Sequence, residues 1–264
     1  MSGREPTFVI GGGQRCGSTS LYHLMDAHPD IYMAKPIRPE PKFFLKDPTA
    51  GRDKSWYLET YFSDWSNELV AGEKSTSYLE TTGVVHRIRD MFPEMKVIFI
   101  LRNPIERAIS NYRFSKKHGL ETLSFDQAIS QEDRRLQTPD YPDLSTNPFA
   151  YQRRGLYADM LKPFIQELPA GQLKIVSFDD LKARPESVLS ELYEFVGVDS
   201  KFRPAGLHEK HNAHSQDNLR ISHETLDLML NFFLEPNQRL ETILGQNLGA
   251  WNDASQLAEE LLKH

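Results

Sequence analysis

The residues best suited to chemistry lie near the start of the chain. A short apolar run, Phe8 to Ile10, leads into three consecutive glycines, an arginine at position 15 and a hydroxyl cluster at positions 18–20. The apolar residues that follow recur at helical spacing. Glycines let backbone N–H groups point inward, and a helix that begins after the loop adds its free donors and the positive end of its dipole. This succession of strand, loop and helix N-terminus predicts an anion-binding site.

The glycine loop matches a nucleotide-binding pattern only in part. Gly12 and Gly17 fit the G-x-x-x-x-G of the Walker A motif, but Ser18 stands where that motif has its lysine. A nucleoside triphosphate with Mg²⁺ needs that lysine on its β- and γ-phosphates. The positive charge of the loop is instead Arg15, which favours an anion whose transferred group is not a γ-phosphate. A structural glycine-rich turn without a ligand is the plainer alternative.

A second candidate group follows the clearest apolar run of the chain, Lys96–Leu101. This predicted strand delivers Arg102 at its carboxyl end. Asn103, Pro104 and Glu106 then supply the N-cap, the first position and the first turn of a helix. Because ligands of parallel α/β sheets bind beyond the carboxyl ends of the strands, we expect Arg102 and the glycine loop to share one site.

A third candidate is the carboxylate of Glu40, which lies in a segment with three prolines between positions 36 and 41. Prolines restrict the backbone, so the segment can hold one side chain precisely. Arg38 and Lys42 favour the charged form of the carboxyl group, while the two phenylalanines that follow oppose it by desolvation. From the residues alone, a solvated loop carboxylate is the simpler interpretation.

Strands and helices alternate along the chain and supply the frame for these residues. Strands are expected at about residues 8–10, 31–33, 96–101 and 173–178, and a strand or extended segment at 70–79. Helices are expected at about residues 18–28, 54–62, 84–92, 103–119, 125–136, 158–168, 185–197 and 222–244, the last interrupted by Pro236. Such alternation indicates an α/β fold with a parallel sheet covered on both faces.

Composition limits the classes of protein and of partner. The chain has 264 residues, a net charge of −6 and one cysteine. This length suits one large α/β domain, and the acidic balance argues against nucleic acid as a partner. Neither a secretory signal nor an apolar run long enough for a membrane span is visible. The single cysteine has no disulfide partner within the chain and suits a reducing compartment, so we expect a cytoplasmic protein. We interpret Cys16 as a small residue that fills the loop, with a reactive thiol at a helix N-terminus as the alternative.

These segments resemble the sulfotransferases that use 3′-phosphoadenosine-5′-phosphosulfate (PAPS). The phosphosulfate loop of that family is similar to residues 13–21, and its 3′-phosphate motif resembles residues 100–112, where Ser110 follows Arg102 by the same eight-residue step. The E-x-x-F-F segment of the glycan sulfotransferases, the heparan type especially, resembles residues 40–44. Further similarity to that branch is found at residues 72–75 and 231–251. The resemblance covers nearly the whole chain and implies a single P-loop-like, three-layer α/β domain over residues 1–264, with a central parallel sheet flanked by helices.

The resemblance also implies the reaction. A sulfuryl group passes in line from PAPS to a hydroxyl, or less readily an amine, of a carbohydrate or other small-molecule acceptor. The bisphosphate product (PAP) leaves, and no metal is required. Many members carry lysine where this chain has Arg15. Arginine donates two hydrogen bonds to an anion without titrating, so we assign Arg15 to electrostatic stabilisation of the leaving phosphate rather than to proton transfer. Glu40 is the predicted general base.

The remaining roles implied by the resemblance concern cofactor and acceptor. The predicted cofactor-binding residues are Arg15, Cys16, Gly17, Ser18, Thr19 and Ser20 at the 5′-phosphosulfate, Arg102 and Ser110 at the 3′-phosphate, and Lys210 or Arg220 from a cofactor-covering loop at about residues 207–220. The predicted substrate-binding residues are Glu73, Lys74 and Phe44, with a surface ion pair as the alternative for the first two. Residues from about 120 to 151 are the predicted acceptor-side insertion. Three histidines in the covering loop, His208, His211 and His214, are weak evidence for a metal site.

Two other classes of function stay open at this stage. A P-loop kinase or nucleotide hydrolase is disfavoured by Ser18 in the lysine position and by the lack of an evident aspartate for Mg²⁺ after an apolar strand. A non-catalytic nucleotide-binding protein would have no need of Glu40 as a base. The identity of the acceptor, the choice between O- and N-sulfation and the oligomeric state are not decided by the sequence.

Overall fold

The computed structural model of the chain describes residues 4–49, 51–137, 147–205, 207, 219–255 and 257. These residues fall into two compact units, one drawn from Met1–Arg102 and Leu161–His211, the other from Asn103–Met160 and Asn212–His264. The single domain over residues 1–264, with its insertion and covering loop, stays a prediction. Within the described ranges, no helix combines the length and the apolar character needed to cross a membrane.

The first unit is built on a five-stranded parallel sheet with strand order β2-β3-β1-β4-β5. The strands are β1 (Phe8–Gly12), β2 (Ile31–Met33), β3 (Val70–Lys74), β4 (Lys96–Leu101) and β5 (Leu173–Ser177). Every residue of the three strands on the β2 side is buried, as expected for a parallel sheet covered on both faces. The predicted α/β class and the central parallel sheet are confirmed.

Helices cover this sheet and build the second unit. The α-helices of the described residues are α1 (Ser18–Asp26), α2 (Lys54–Tyr61), α3 (Val84–Met91), α4 (Pro104–Lys117), α5 (Phe125–Ser130), α6 (Glu132–Leu136), α7 (Tyr157–Glu167), α8 (Phe178–Ala183), α9 (Pro185–Val196) and α10 (His223–Leu244). Helix α4 begins as its sequence predicts, because the Asn103 side chain accepts the N–H of Ile105 at 2.9 Å and Pro104 occupies the first turn.

The centre of the sheet is packed so closely that one position admits only glycine. Gly72 in β3 lies opposite Phe8 in β1, and a Cβ atom at this position would stand 2.4 Å from the Phe8 ring. On the other side of β1 the register with β4 shifts between Ile10 and Gly12, so β1 leaves the ladder where the glycine loop begins. The loop therefore starts from a rigid, fully buried base.

The second unit has a core of its own. Helices α4, α5 and α10 contribute most of it, with aromatic residues from the segment before α7; its members are Ile105, Ala108, Ile109, Tyr112, Phe125, Ala128, Ile129, Phe149, Tyr151, Leu226, Met229, Phe233 and Leu257. The buried Arg107 donates to the backbone carbonyl of Tyr151, and Asn111 donates to that of Pro148 at 2.8 Å. These bonds fix the segment before α7 to helix α4.

The structure corrects three details of the predicted elements. Helix α10 runs through Pro236 without interruption, because the buried face formed by Met229, Phe233 and Leu240 continues on both sides of the proline. The predicted helix at 125–136 is two short helices that divide at Gln131. The last strand ends at Ser177, whose side chain accepts the N–H of Asp179 at 3.1 Å and caps helix α8, which was not predicted.

Candidate active site

The glycine loop leaves β1 in a backbone conformation that side chains rarely adopt. Gly12 has φ 142°, Arg15 has φ 67° and Gly17 has φ 90°. The N–H of Gly13 donates to the carbonyl of Ile100 in β4 at 2.7 Å, which ties the loop to the neighbouring strand. A left-handed arginine is unusual, since only Gly, Asn and Asp visit this region readily. The loop therefore turns sharply at three points between the sheet and helix α1.

Gly17 is the residue on which the helix start depends. It serves as the N-cap of α1, and its carbonyl accepts the N–H of Leu21 at 3.0 Å. The backbone N–H groups of the first turn, from Ser18 onward, have no partner within the helix by geometry. A hydrogen-bond-donating turn at the positive end of a helix dipole attracts an anion. The predicted cofactor residues Ser18, Thr19 and Ser20 contribute this turn.

Cys16 lies inside the loop rather than at its surface. Its side chain is 0% exposed, and a Cβ on Gly13 would stand 3.0 Å from its Sγ atom. The thiol thus fills the space beneath the turn, as the sequence suggests for a small residue. Its thiol donates to the carbonyl of Gln14 at 3.7 Å, and its N–H donates to the carbonyl of Gly13 at 3.3 Å.

An aromatic ring that the sequence analysis missed connects the loop to the second cationic residue. The ring of Phe178, at the start of α8, packs directly against Gly17. A Cβ atom added to Gly17 would lie only 2.4 Å from this ring. The guanidinium carbon of Arg102 lies 5.2 Å from the centre of the same ring, and the Nζ atom of Lys182 lies 5.1 Å from it. Arg102 and the glycine loop are therefore brought to one edge of the sheet, as predicted. The available signal was the position of Phe178 directly after β5, at the carboxyl edge shared with β4.

The other predicted cofactor residues do not belong to the described part of the first unit. Ser110 is buried on helix α4 in the second unit. Arg220 belongs to the second unit and is exposed. Lys210, together with the three histidines of the predicted covering loop, lies outside the described residues.

The carboxylate of Glu40 is held from both of its oxygens. Lys74 Nζ lies 2.5 Å from Oε1, and the N–H of Thr76 donates to Oε2 at 3.0 Å. The Thr76 hydroxyl is also within reach, 3.0 Å from Oε2 and 3.3 Å from Oε1. The Lys74 side chain is 2% exposed and that of Glu40 14%. Lys74 thus forms an inward-facing ion pair with Glu40, and not the surface pair with Glu73 that was the alternative from the sequence. Thr76 was missed, although it lies in a hydroxyl-rich run directly after β3.

Glu73, next to Lys74 in β3, is fully buried. The hydroxyls of Ser75 and Tyr78 each donate to its carboxyl group at 2.6 Å. Burial raises the pKa of Glu73 to about 7, although these two hydroxyl donors lower it and the nearby charge of Glu40 raises it further. The pKa of Tyr78 is also raised, by its own burial and by the charge of Glu73.

Phe44 is likewise an interior residue. It is 1% exposed and packs edge to face against Tyr57, Tyr78 and Phe92, with ring centres 5.6 to 6.1 Å away. Arg87 donates to its carbonyl at 2.7 Å. In this structure neither Phe44 nor Glu73 presents its side chain to solvent. Both hold the segment that carries Glu40.

A cleft of about 230 Å³ borders that segment. Its lining combines apolar and cationic side chains with one carboxylate and one hydroxyl: Pro41, Lys42, Phe43, Leu45, Lys46, Asp47, Pro48, Thr49 and Arg52. Phe43 stacks on Tyr57 at 4.4 Å between ring centres, which fixes one wall.

Comparison with known proteins agrees with this arrangement. The model of the sulfotransferase domain family matches residues 5–227. The human bifunctional heparan sulfate N-deacetylase/N-sulfotransferase 2 is 29% identical over 206 residues, which cover 74% of this chain and 22% of that protein. The mouse heparan sulfate glucosamine 3-O-sulfotransferase 3B1 is 28% identical over 193 residues, 73% of this chain and 46% of that protein. The chain thus spans less than half the length of these relatives.

Solved structures give the same result. The crystal structure of a sulfotransferase from Alicyclobacillus acidocaldarius is 27% identical, with a TM-score of 0.80, and the match covers 95% of this chain and all of that one. Mouse sulfotransferase SULT7A1, solved in complex with PAP, shares the fold at 13% identity with a TM-score of 0.55. The match to the family model covers most of the chain, and it confirms the resemblance drawn from the glycine loop and the Arg102 motif. This chain belongs to the sulfotransferase domain family.

Proposed function

We propose that this chain transfers a sulfuryl group from PAPS to a hydroxyl, or less readily an amine, of a carbohydrate or other small-molecule acceptor, with Glu40 as the general base. The observation that carries the proposal is the pairing of two features on one sheet edge. One is a glycine loop that carries Arg15 and has Ser18 at the position of the Walker lysine, and the other is Arg102, which contacts the same Phe178 ring as the loop. PAPS supplies the sulfuryl group and leaves as PAP.

The residues of the loop fit the phosphosulfate end of PAPS. The N–H groups at the start of α1 and the hydroxyls of Ser18, Thr19 and Ser20 form a set of donors with no carboxylate among them. Arg15 adds a charge that does not titrate. Donors held in place before the reaction stabilise charge that develops on a leaving oxygen without having to reorganise. We assign that role to Arg15 and the first turn of α1.

The residues proposed for the 3′-phosphate are assigned from the family resemblance and not from a contact in the structure. Arg102 and Ser110 match the family motif in type and spacing, and an arginine at this point fixes the cofactor by a bidentate contact. Arg220 and Lys210 are candidates for a further contact from the covering loop. We propose that these residues supply orientation and proximity rather than chemistry.

Glu40 has the surroundings that a general base requires. An ionised carboxylate offers about four lone-pair positions. Among the described residues, three donors reach Glu40: Lys74 Nζ, the Thr76 N–H and the Thr76 hydroxyl. One position is left for the proton of an acceptor. Lys74 and Thr76 thus orient the carboxylate and keep one lone pair available.

The acceptor class is inferred from the relatives. The relatives named above act on heparan sulfate or its glucosamine units, as their names state. We propose a glucosamine-containing glycan as the first acceptor to test. Glu73, Lys74 and Phe44 are proposed to support the acceptor side by holding the Glu40 segment. A cytoplasmic location and the absence of a nucleic-acid partner stay predictions from the sequence.

The proposal is tested by transfer from radiolabelled PAPS to N-deacetylated heparosan and to N-sulfated heparan sulfate. Glu40→Gln keeps an oxygen that accepts from Lys74 and removes the base, so we expect PAP binding to persist and transfer to fall by about two to four orders of magnitude. The matched control is Glu59→Gln, an exposed glutamate on helix α2. Full transfer by Glu40→Gln would remove Glu40 from the chemistry, and absence of transfer to any glycan would redirect the search to small alcohols.

A further inference from the structure

Two layers of hydrogen bonds connect the buried Glu73 to the segment that carries Glu40. In the inner layer, Ser75 and Tyr78 donate their hydroxyl protons to the Glu73 carboxyl group, each at 2.6 Å. In the outer layer, the N–H of Lys42 donates to the Ser75 hydroxyl oxygen at 2.7 Å, and the N–H of Phe44 donates to the Tyr78 hydroxyl oxygen at 3.2 Å. Each hydroxyl therefore donates one hydrogen bond to Glu73 and accepts one from a backbone N–H of the Glu40 segment.

The two bonded N–H groups lie two and four residues after Glu40. Side chains alternate along a strand, so Glu73 and Lys74 leave β3 on opposite faces. Lys74 holds the Glu40 carboxylate itself, at 2.5 Å. Glu73 holds the backbone that follows it. One strand thus fixes both the side chain of Glu40 and the direction of its chain.

We propose that Glu73 is a positioning residue, whose ionised carboxylate aligns the Ser75 and Tyr78 hydroxyls and thereby fixes the segment that carries Glu40. This rests on the proposed function, in which Glu40 is the base. An ionised carboxylate only accepts, so both hydroxyl protons point inward and both hydroxyl oxygens are left to accept the segment's N–H groups. A protonated carboxyl group must donate from one oxygen. Where that proton is donated to Ser75 or Tyr78, the hydroxyl loses its inward acceptor, and its oxygen is shared between two donors.

The surroundings of Glu73 place this switch near neutral pH. Burial raises its pKa to about 7. The titratable groups that face it are Tyr57 and Tyr61 from helix α2, Tyr78 from the segment after β3, and Glu40. Burial raises the pKa of all three tyrosines above 10, so they stay neutral where Glu73 titrates. We therefore expect the order of the Glu40 segment to increase with pH through neutrality.

Hydrogen exchange at the Lys42 and Phe44 amides tests the inference in the full-length chain without an acceptor. In the wild type, we expect the protection of both amides to rise with pH, with a midpoint near the Glu73 pKa of about 7. Glu73→Gln should lower their protection by about tenfold, the value of one hydrogen bond of ordinary strength, and abolish the pH dependence. The amide of Ala34, bonded to Gly72 at 2.8 Å in the same unit, serves as the internal reference.

Activity supplies the second measurement. With whichever of the two glycans the wild type sulfates as acceptor, Glu73→Gln should lower kcat by more than tenfold, while the affinity for PAP stays within twofold. Tyr78→Phe removes one arm of the network and should give part of each effect. Tyr193→Phe is its matched control, because it also deletes a buried hydroxyl, one that donates to Leu24 at 3.0 Å and does not reach the Glu40 segment. It should leave kcat unchanged.

The inference is overturned if Glu73→Gln and Tyr78→Phe leave the protection of the Lys42 and Phe44 amides unchanged. It is equally overturned if wild-type protection does not vary with pH. Should Glu73→Gln fail to fold, Tyr78→Phe and Ser75→Ala decide the question by the same amide readout. Failure of the wild type to bind PAP would refute the proposed function and leave the amide result standing, so the two failures are distinguishable.

Discussion

Removal of Lys74 tests whether the ion pair with Glu40 is an organising contact of the site. The two charged groups lie 2.5 Å apart, with exposed side-chain fractions of 2% for Lys74 and 14% for Glu40. Lys74→Met keeps the length of the apolar stem and deletes the charge. Glu40 would then retain only the donors of Thr76. The variant therefore leaves a nearly buried carboxylate without its counter-charge.

The expected cost follows from this burial. Breaking a buried ion pair from one side costs about 3–5 kcal/mol, because the remaining charge loses both its partner and its hydration. Glu40 keeps a small exposed fraction, so we place Lys74→Met at about 3 kcal/mol, the lower end of that range. Glu40→Gln leaves the more deeply buried Lys74 charge, but its amide oxygen still accepts a hydrogen bond. The double variant contains neither charge and should recover at least about 2 kcal/mol relative to the sum of the single variants.

Urea denaturation followed by circular dichroism measures these free energies of unfolding. Lys35→Met is the matched control, because Lys35, two residues after β2, pairs with Asp26 at the end of α1 with exposed fractions of 46% and 28%. An exposed pair of this kind contributes less than about 1 kcal/mol. The reasoning is refuted if Lys74→Met costs no more than Lys35→Met, or if the effects of the Lys74 and Glu40 variants simply add.

Two further predictions follow from the loop and the buried carboxyl group. Gly17→Ala forces a residue with a side chain into φ 90° and places its Cβ 2.4 Å from the Phe178 ring. We expect the free energy of unfolding, measured by urea denaturation, to fall by about 1–2 kcal/mol from the backbone conformation and by about 1–3 kcal/mol from overpacking. Adding Phe178→Leu should restore only the second part, and full recovery would show that the backbone conformation carries no cost. The raised pKa of Glu73 means that the native state binds more protons than the unfolded chain between pH 4.5 and about 7, so ionisation costs stability as the pH rises. The free energy of unfolding of Glu73→Gln minus that of the wild type should therefore increase by about 3 kcal/mol from about pH 4.5 to pH 8. The same difference at both pH values would contradict the assigned pKa.

The elements that the sequence predicts well are those with a single strong local signal. Strand β4 is a continuous apolar run, and the helix after it has its cap, its proline and its acidic first turn in order. Arg102 and the glycine loop could be expected at one sheet edge because both follow parallel strands. Topology alone is sufficient for that inference.

The contacts that the sequence cannot give are those between residues far apart in the chain. Glu40 and Lys74 are 34 positions apart, and nothing in either local pattern indicates which basic residue faces the carboxylate. Gly17 and Phe178 are in contact because β5 lies two strands from β1 in the sheet, beyond β4. This strand order follows from tertiary packing and not from a local pattern. In helix α10 a local signal was wrong. Pro236 predicted an interruption, but packing on both sides of the proline outweighs its local penalty, and the helix continues.

Calorimetric titration with PAP, in parallel with ATP and Mg²⁺, tests the central claim most directly. We predict micromolar binding of PAP that is indifferent to Mg²⁺, lost in Arg102→Ala and retained in Arg184→Ala, a control at a half-exposed arginine between α8 and α9. This result would establish the bisphosphate site on the edge that carries the glycine loop. Tighter binding of ATP with Mg²⁺, or PAP binding that survives the loss of Arg102, would contradict the account.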